Sequence, residues 1–482
     1  MLLITGFLFL FVVFVAMVSR KLNIPLIIIA LSIGIFFGSD VTGLIYFDNA
    51  KLMRDIADIA LLFILFSGGL GTKLFHLKPV ILESSLLATL GVLCTAVIAG
   101  VLFSLISGWD LSKSLLVCAI ISSTDAGAVF SILRSRSINN RVTAVTEVES
   151  AANDPMAIIT TTFLIALVGQ GNHDSFRSIG LFLWQLVGGA GIGILSGFLA
   201  AKAFRKITEL DEGYSFLLLI GLILVTYSLS DHLGASGMLS VFFGGVVVGN
   251  SRIPHKNSLS SFSETLSFIA NVGMFILLGL LVFPKAFAQI WPLGLLLFLL
   301  ISFISRPLAV LVCTAFSKLS IREKLFLGWS GIRGAVPIVL ATYPAAAGID
   351  PDHEIFNTVF LAVALSILIQ GTTVGKMADL LKLGGKRRAV EKRSMELTAT
   401  HNTDYELIEV HVDEEKLEGE CRIAELRLPE GTTITLVNRN QNLIAPSGQT
   451  VILPGDVLSV LVKRNHAKDA SDAVLTAFKH LR

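Results

Sequence analysis

Thirteen apolar stretches constrain this chain more than any other feature of it. They fall near residues 2–19, 23–39, 56–72, 79–107, 114–133, 143–168, 178–204, 214–230, 235–250, 263–283, 288–316, 325–347 and 355–380. As a helix, each can cross about 30 Å of hydrocarbon, some with tilt or help from neighbours. Inside lipid every backbone N–H and C=O needs a partner within the protein, so such a chain folds as a bundle of helices. With 53% hydrophobic and 15% charged residues, the composition fits a polytopic membrane protein and excludes a soluble globule. The expected fold is all-α, with about 13 transmembrane helices.

The loops between these stretches alternate in basic content. One set carries Arg20 and Lys21; Lys73 and Lys78; Arg134, Arg136 and Arg141; Lys202, Arg205 and Lys206; Arg252 and Lys256; and Lys318, Arg322 and Lys324. The other carries Lys51, Arg54, Lys113, Arg177 and Lys285, with acidic Asp350, Asp352 and Glu354 in its last loop. The positive-inside rule places the richer set in the cytoplasm. The N-terminus is then outside and, with an odd number of spans, the C-terminus inside. The first stretch has no basic flank and no clear cleavage site, so it reads as a retained span rather than a signal peptide. Three of the four cysteines, Cys94, Cys118 and Cys313, lie in apolar runs, and with Cys421 they form no CxxC pair. A net charge of +2 without a basic, aromatic-interleaved tract gives no sign of a nucleic-acid partner.

Beyond residue 381 the texture changes. A basic and polar linker, 381–403, holds Lys386, Arg387, Arg388, Lys392 and Arg393, the flank expected beside an anionic inner leaflet. Residues 404–482 read as a small α+β domain in the cytoplasm. YELIEVHV, TTITLVNRN and DVLSVLVKR have strand patterning, LPEG and LPGD are turn signals, and HAKDASDAVLTAFKHL fits a terminal amphipathic helix. About 80 residues make a marginal domain, which favours self-association.

The chemistry sits in four interruptions of the apolar pattern. The sixth stretch opens with Glu149-Ser150-Ala151-Ala152-Asn153-Asp154-Pro155. An ionised group near the bilayer centre costs roughly 2.5–3.5 kcal/mol on insertion scales, so it is expected to pair or to carry something. Glu149 and Asn153 share a helix face, and Asp154 points one step round. Pro155 frees the carbonyl four residues before it. The alternative is a purely structural hydrogen-bond cluster. In the fifth stretch, Ser122-Ser123-Thr124-Asp125-Ala126-Gly127 reads as a broken helix whose freed backbone groups line a cavity, or else as a helix cap at a shifted boundary. The twelfth has Gly328-Trp329-Ser330-Gly331-Ile332-Arg333-Gly334-Ala335-Val336-Pro337, a second break, here with a cation. Arg333 either offsets Asp125 or the negative ends of half-helices, or snorkels to an interface. Breaks in stretches five and twelve are the mark of inverted repeats around a midplane site. In the eleventh, Ser305-Arg306-Pro307 buries a cation whose best partner is Glu149. Asp58, Glu83 and Asp231 lie near segment ends and read as interfacial, and Gly234 to Gly237 and Phe243-Gly244-Gly245 suit close helix packing. There is no P-loop, no TVGYG filter and no metal-ligand spacing among the nine His.

Taken in order, STDAGAVF, ExxxND-P, SRP and GIRGAVP resemble the NhaP-type sodium or potassium/proton antiporters, over roughly residues 1–380. Residues 404–482 resemble the C-terminal half of potassium-conductance-regulator domains (RCK_C, or TrkA-C), and the combination resembles the potassium/proton antiporters linked to cell-volume regulation. The resemblance implies that Asp154 binds cation and proton alternately, with Asp125, the Thr124 carbonyl and Ser150 completing the shell. It implies that Asn153 orients the broken helices, that Glu149 and Arg306 form a structural ion pair, and that Arg333 balances charge where stretches five and twelve cross. It further implies a homodimer in a bacterial-type plasma membrane, no enzyme activity, and a small cytoplasmic ligand, such as a nucleotide, at 404–482. The glycine-rich dinucleotide fold that often precedes such a module is missing, so no cofactor is expected. In LFSGGL, Ser67 stands where sodium-selective relatives often have a carboxylate, which leans the expectation toward potassium.

One carboxylate cannot hold proton and cation at once, so the two compete, and alternating access carries the loaded site across. With Asn at 153 and Glu149 neutralised by Arg306, both half-cycles move the same charge, and exchange is expected to be electroneutral and one-for-one. Two other readings stay open: an ion channel gated by the cytoplasmic domain, and a sodium-coupled solute symporter of similar fold.

Overall fold

The computed structural model describes residues 2–19, 26–38, 40–47, 49–72, 74, 80–125, 129, 140–170, 175–206, 212–383, 405–412, 421–426, 428–439, 442–453 and 455–463. The chain divides into two compact units, 1–386 and 387–482. The linker from residue 384 on, with its basic run, and the expected terminal helix lie outside the described residues.

In the first unit every one of the apolar stretches contains helix. The helices are α1 (Leu2–Ser19), α2 (Leu26–Phe37), α3 (Ala50–Gly71), α4 (Ile81–Ser107), α5 (Leu111–Ile120), α6 (Asn140–Gln170), α7 (Ser175–Lys206), α8 (Glu212–His232), α9 (Gly237–Asn250) and α10 (Lys256–Leu280). They continue as α11 (Phe287–Cys313), α12 (Ile321–Trp329), α13 (Ala335–Leu340), α14 (Thr342–Ala346) and α15 (Glu354–Leu380). Among the described residues, seven helices are long and apolar enough to cross a membrane, and α5, α9 and the α13–α14 pair are shorter apolar pieces. Local chemistry sets the ends. Asp110 caps α5 by accepting from Ser112 N (2.9 Å), and Ser320 and Glu323 form a reciprocal capping box on α12. Between α14 and α15, Asp350 accepts the N–H groups of Ile355 and Phe356. Burial pushes its carboxyl above the usual range, and those two bonds oppose the shift.

The helices pack as two groups. One joins α2, α3, α7, α8, α9 and α10, with α3 lying on α9 and α10 and α7 on α9. The other joins α4, α5, α6, α11, α12, α13 and α15. Close approach within the first group depends on glycine. A Cβ on Gly245 would run into the Phe66 carbonyl, one on Gly249 into the Leu70 carbonyl, and one on Gly69 into the Phe242 carbonyl. Small residues of this kind let membrane helices gain dispersion contacts where water supplies no driving force. Gly245 belongs to the Phe243-Gly244-Gly245 run that the sequence marks for such packing. Asn250 ties the seam's end by donating to the Thr72 carbonyl (2.8 Å).

The second unit contains a four-stranded antiparallel sheet in the order β1-β6-β3-β4: β1 (Tyr405–His411), β3 (Thr433–Arg439), β4 (Asn442–Ile444) and β6 (Val457–Lys463). β2 (Cys421–Arg422) and β5 (Val451–Ile452) pair separately. The three strands expected from alternation are β1, β3 and β6. The shorter ones are too brief to carry a period-two signal. Gly431 and Gly455, in the LPEG and LPGD turns, have φ of 73° and 87°, which glycine adopts without strain. Asp456, 1% exposed, accepts two bonds from Arg439 (2.9 and 2.8 Å) and holds β3 to the turn before β6.

Candidate functional site

The fifth and twelfth segments are both broken, and their breaks meet. α5 ends at Ile120 and residues 121–125 are unwound; α12 ends at Trp329 and the chain stays unwound until α13 begins at Ala335. The second break has a local cause. Gly331 and Gly334 weaken the helix, and Pro337 is tolerated only in a first turn, where its missing N–H is not needed. The distal half of the fifth segment, including Gly127, lies outside the described residues.

Each break satisfies the other. Asp125 N donates to the Ile332 carbonyl (2.8 Å). The Arg333 guanidinium donates to the carbonyls of Ser122 (2.5 Å) and Ser123 (2.8 Å), in the unwound segment that follows α5. The Arg333 side chain is thus buried against the backbone of the unwound 121–125 segment. Gly334 has to be glycine here, because a Cβ would occupy the space of the Asp125 side chain. A Cβ on Gly331 would press on the Arg306 side chain and the Thr124 methyl.

α6 supplies the third wall. Ser150 Oγ donates to the Thr124 carbonyl (2.6 Å), and Asn153 Nδ2 donates to Thr124 Oγ1 (2.7 Å). Both bonds fix the unwound 121–125 segment against α6. Asp154 has Asp125 and Ser123 as its electrostatic neighbours, so two carboxylates face one another as like charges. Glu149 is paired with Arg306 at 2.5 Å, both almost fully buried (1% and 2% exposed). The six-residue π-helical turn Leu300–Ser305 immediately precedes Arg306, a local rewinding common at functional positions. The arrangement therefore brings two carboxylates, a hydroxyl and a backbone carbonyl together in largely buried surroundings, the hard oxygen donors that alkali cations take.

Sequence reasoning missed two residues of this assembly. Ser366 accepts the Arg333 N–H (3.1 Å) and donates to Gln370 Oε1 (2.5 Å), while Gln370 Nε2 donates to the Trp329 carbonyl (3.1 Å). Both are 1% exposed and lie in a second π-helical turn, Ser366–Gln370. They close the second break from behind. Their one signal in the sequence is a polar pair four apart in the last apolar stretch. Ser67 is half-buried on α3.

Residues 7–379 match the family model described as sodium/hydrogen exchanger, transmembrane. The chain belongs to that family. Residues 407–474 match the TrkA-C domain. The exchanger is similar to the K(+)/H(+) antiporter NhaP2 of Shewanella sp. (strain ANA-3), 36% identical over 451 residues that cover 92% of this chain and 78% of that protein. It is also similar to the Na(+)/H(+) antiporter NhaH of Halobacillus aidingensis, at 27% identity, with 62% and 75% of the two chains covered. The solved structure of the sodium proton antiporter MjNhaP1 from Methanocaldococcus jannaschii aligns with a TM-score of 0.68 and 28% identity, covering 79% of this chain and 99% of that one. This exchanger is thus a transporter of the cation/proton antiporter class and not an enzyme.

Proposed function

We propose that this exchanger trades potassium for protons, one for one and without net charge movement, by alternating access of a site at Asp154. The observation that carries the reading is the division of labour on α6. Glu149 is committed to Arg306, Asn153 is a neutral donor to Thr124, and Asp154 is left for exchange. A proton and a cation compete for its carboxylate, with Asp125, the Thr124 carbonyl and Ser150 as the rest of the shell. A carbonyl has two lone pairs, so Thr124 O can take the Ser150 proton and still face a cation. Arg333 keeps the broken segments close without adding a carboxylate partner.

The finer architecture follows from the same reading. The chain crosses the membrane thirteen times, with its N-terminus outside and its C-terminus in the cytoplasm, and its broken fifth and twelfth segments are counterparts in inverted repeats. It works as a homodimer, and residues 404–482 bind a small cytoplasmic ligand, such as a nucleotide, that sets its activity. Ser67 in place of a carboxylate and the likeness to NhaP2 favour potassium. The likeness to NhaH keeps sodium as the second reading.

The test is reconstitution in liposomes with lumenal pH as the readout, adding potassium or sodium to wild type and to Asp154→Asn. Cation-driven proton movement is expected in wild type and lost in the variant, with the lower half-saturating concentration for potassium. Normal exchange by Asp154→Asn sinks the site assignment. A net current that follows membrane voltage sinks electroneutrality.

A further inference from the structure

α14, which continues α13 of the second helix group, lies on α3 of the first, and a polar cluster sits at that contact. The Tyr343 hydroxyl, from α14, donates to Asp58 Oδ1 on α3, across 285 residues of sequence. Arg54, one turn earlier on α3, stands 3.7 Å from the other Asp58 oxygen, and its guanidinium lies over the Tyr343 ring, 4.7 Å from the centroid. Tyr343 is buried (3% exposed) and the Asp58 side chain is 18% exposed. Asp55, Asp231 and Tyr227 lie near enough to act on the same charges.

None of this is needed to build the crossing of the broken helices. α14 is, however, the continuation of α13, whose start carries the Arg333–Gly334 segment beside Asp125. A bond between α3 and α14 therefore joins the group that holds the site to the group it packs against. Rocking of one group on the other has to part such a contact, and hydrogen bonds to ionised groups are the stronger kind. On the loop-charge reading, the N-terminal part of α3 and the C-terminal end of the twelfth segment both face outward.

We infer that Tyr343, Asp58 and Arg54 form an outer latch between the two helix groups: it closes the external route to Asp154 while made, and opens that route when broken. The inference rests on the exchange reading above.

Two measurements test it in the full-length protein, with Cys94, Cys118, Cys313 and Cys421 replaced by Ser. In the first, Thr342→Cys is the reporter, since Thr342 is fully buried beside the latch. A membrane-impermeant maleimide added outside should label it roughly tenfold faster when Tyr343→Phe or Asp58→Asn is also present, the fold-change for losing one charge-assisted hydrogen bond. Equal labelling rates overturn the latch. In the second, Asp58→Cys/Tyr343→Cys is bridged by a short bifunctional thiol reagent carrying a cleavable disulfide. Bridging should stop exchange and a reductant restore it, while the reagent leaves the rate of each single variant as it was before treatment. Undiminished exchange in the bridged protein overturns the latch. Should the double variant be silent before bridging, the labelling measurement decides alone. A wild-type protein without cation-driven proton movement defeats the exchange reading and leaves the labelling result standing for or against the latch.

Discussion

Two contacts hold this bundle together by opposite means. At the crossing of the fifth and twelfth segments, helices are broken and the freed backbone groups are bound one by one: Ile332 O by Asp125 N, Ser122 and Ser123 O by Arg333, Trp329 O by Gln370. At the α3–α9 seam the helices are intact, and glycines bring backbone to within touching distance of backbone. The first contact is directional, and each of its bonds has one correct partner. The second is contact area without direction. Unwound backbone inside a membrane exists only where protein groups replace the missing helix bonds. A seam that only has to stay closed needs none of this.

The comparison is open to attack from both sides. The largest effect is expected at Arg306→Ala, which strands Glu149 as a buried charge and should destabilise by about 3–5 kcal/mol. Thermal unfolding in detergent reads this out, and a Glu149→Leu/Arg306→Leu double variant should recover most of the loss. Recovery by neither partner's removal would mean that the pair is not the support assigned to it. Next comes Gly245→Ala at the seam, whose methyl meets the Phe66 carbonyl. A cost of about 1–3 kcal/mol in unfolding is expected, despite alanine's better helix propensity, with half-saturating cation unchanged. A shifted cation affinity would show that the seam and the site are not separate.

Gln370→Ala should leave the Trp329 carbonyl buried without its partner, costing about 1–3 kcal/mol. Unlike the seam variant, it should raise the half-saturating cation concentration, because the second break carries Arg333 and with it Ser122 and Ser123. The smallest stability change belongs to Ser150→Ala, about 0.5–1.5 kcal/mol for one neutral hydrogen bond. Its cation affinity should fall more than its stability, and the opposite order would remove Ser150 from the shell.

Much of the site could be read before any coordinates. Polar runs and Gly-Pro interruptions in an apolar background located both breaks, and an isolated Arg306 amid apolar flanks demanded an acid, with Glu149 in the frame. Other features could not be read. Arg333 had three candidate roles, since a carbonyl acceptor leaves no mark on a side-chain sequence. Ser366 and Gln370 look unremarked in the last stretch, because a serine and a glutamine are tolerable there for many reasons. Asp58 read as interfacial from its place near a segment end, yet its partner is Tyr343, an aromatic residue that signals nothing alone.

The sequence by itself determined the membrane-embedded helical architecture, the positions of the breaks and which carboxylates stand inside apolar segments. All of these follow from hydropathy and backbone chemistry within a few neighbouring residues. Only the tertiary structure decided which freed carbonyl meets Arg333, which side chains close the second break, and that α3 reaches α14 through Asp58 and Tyr343. These pairings join residues up to 285 positions apart. They are set by how whole helices pack, a quantity that no local pattern of residues encodes.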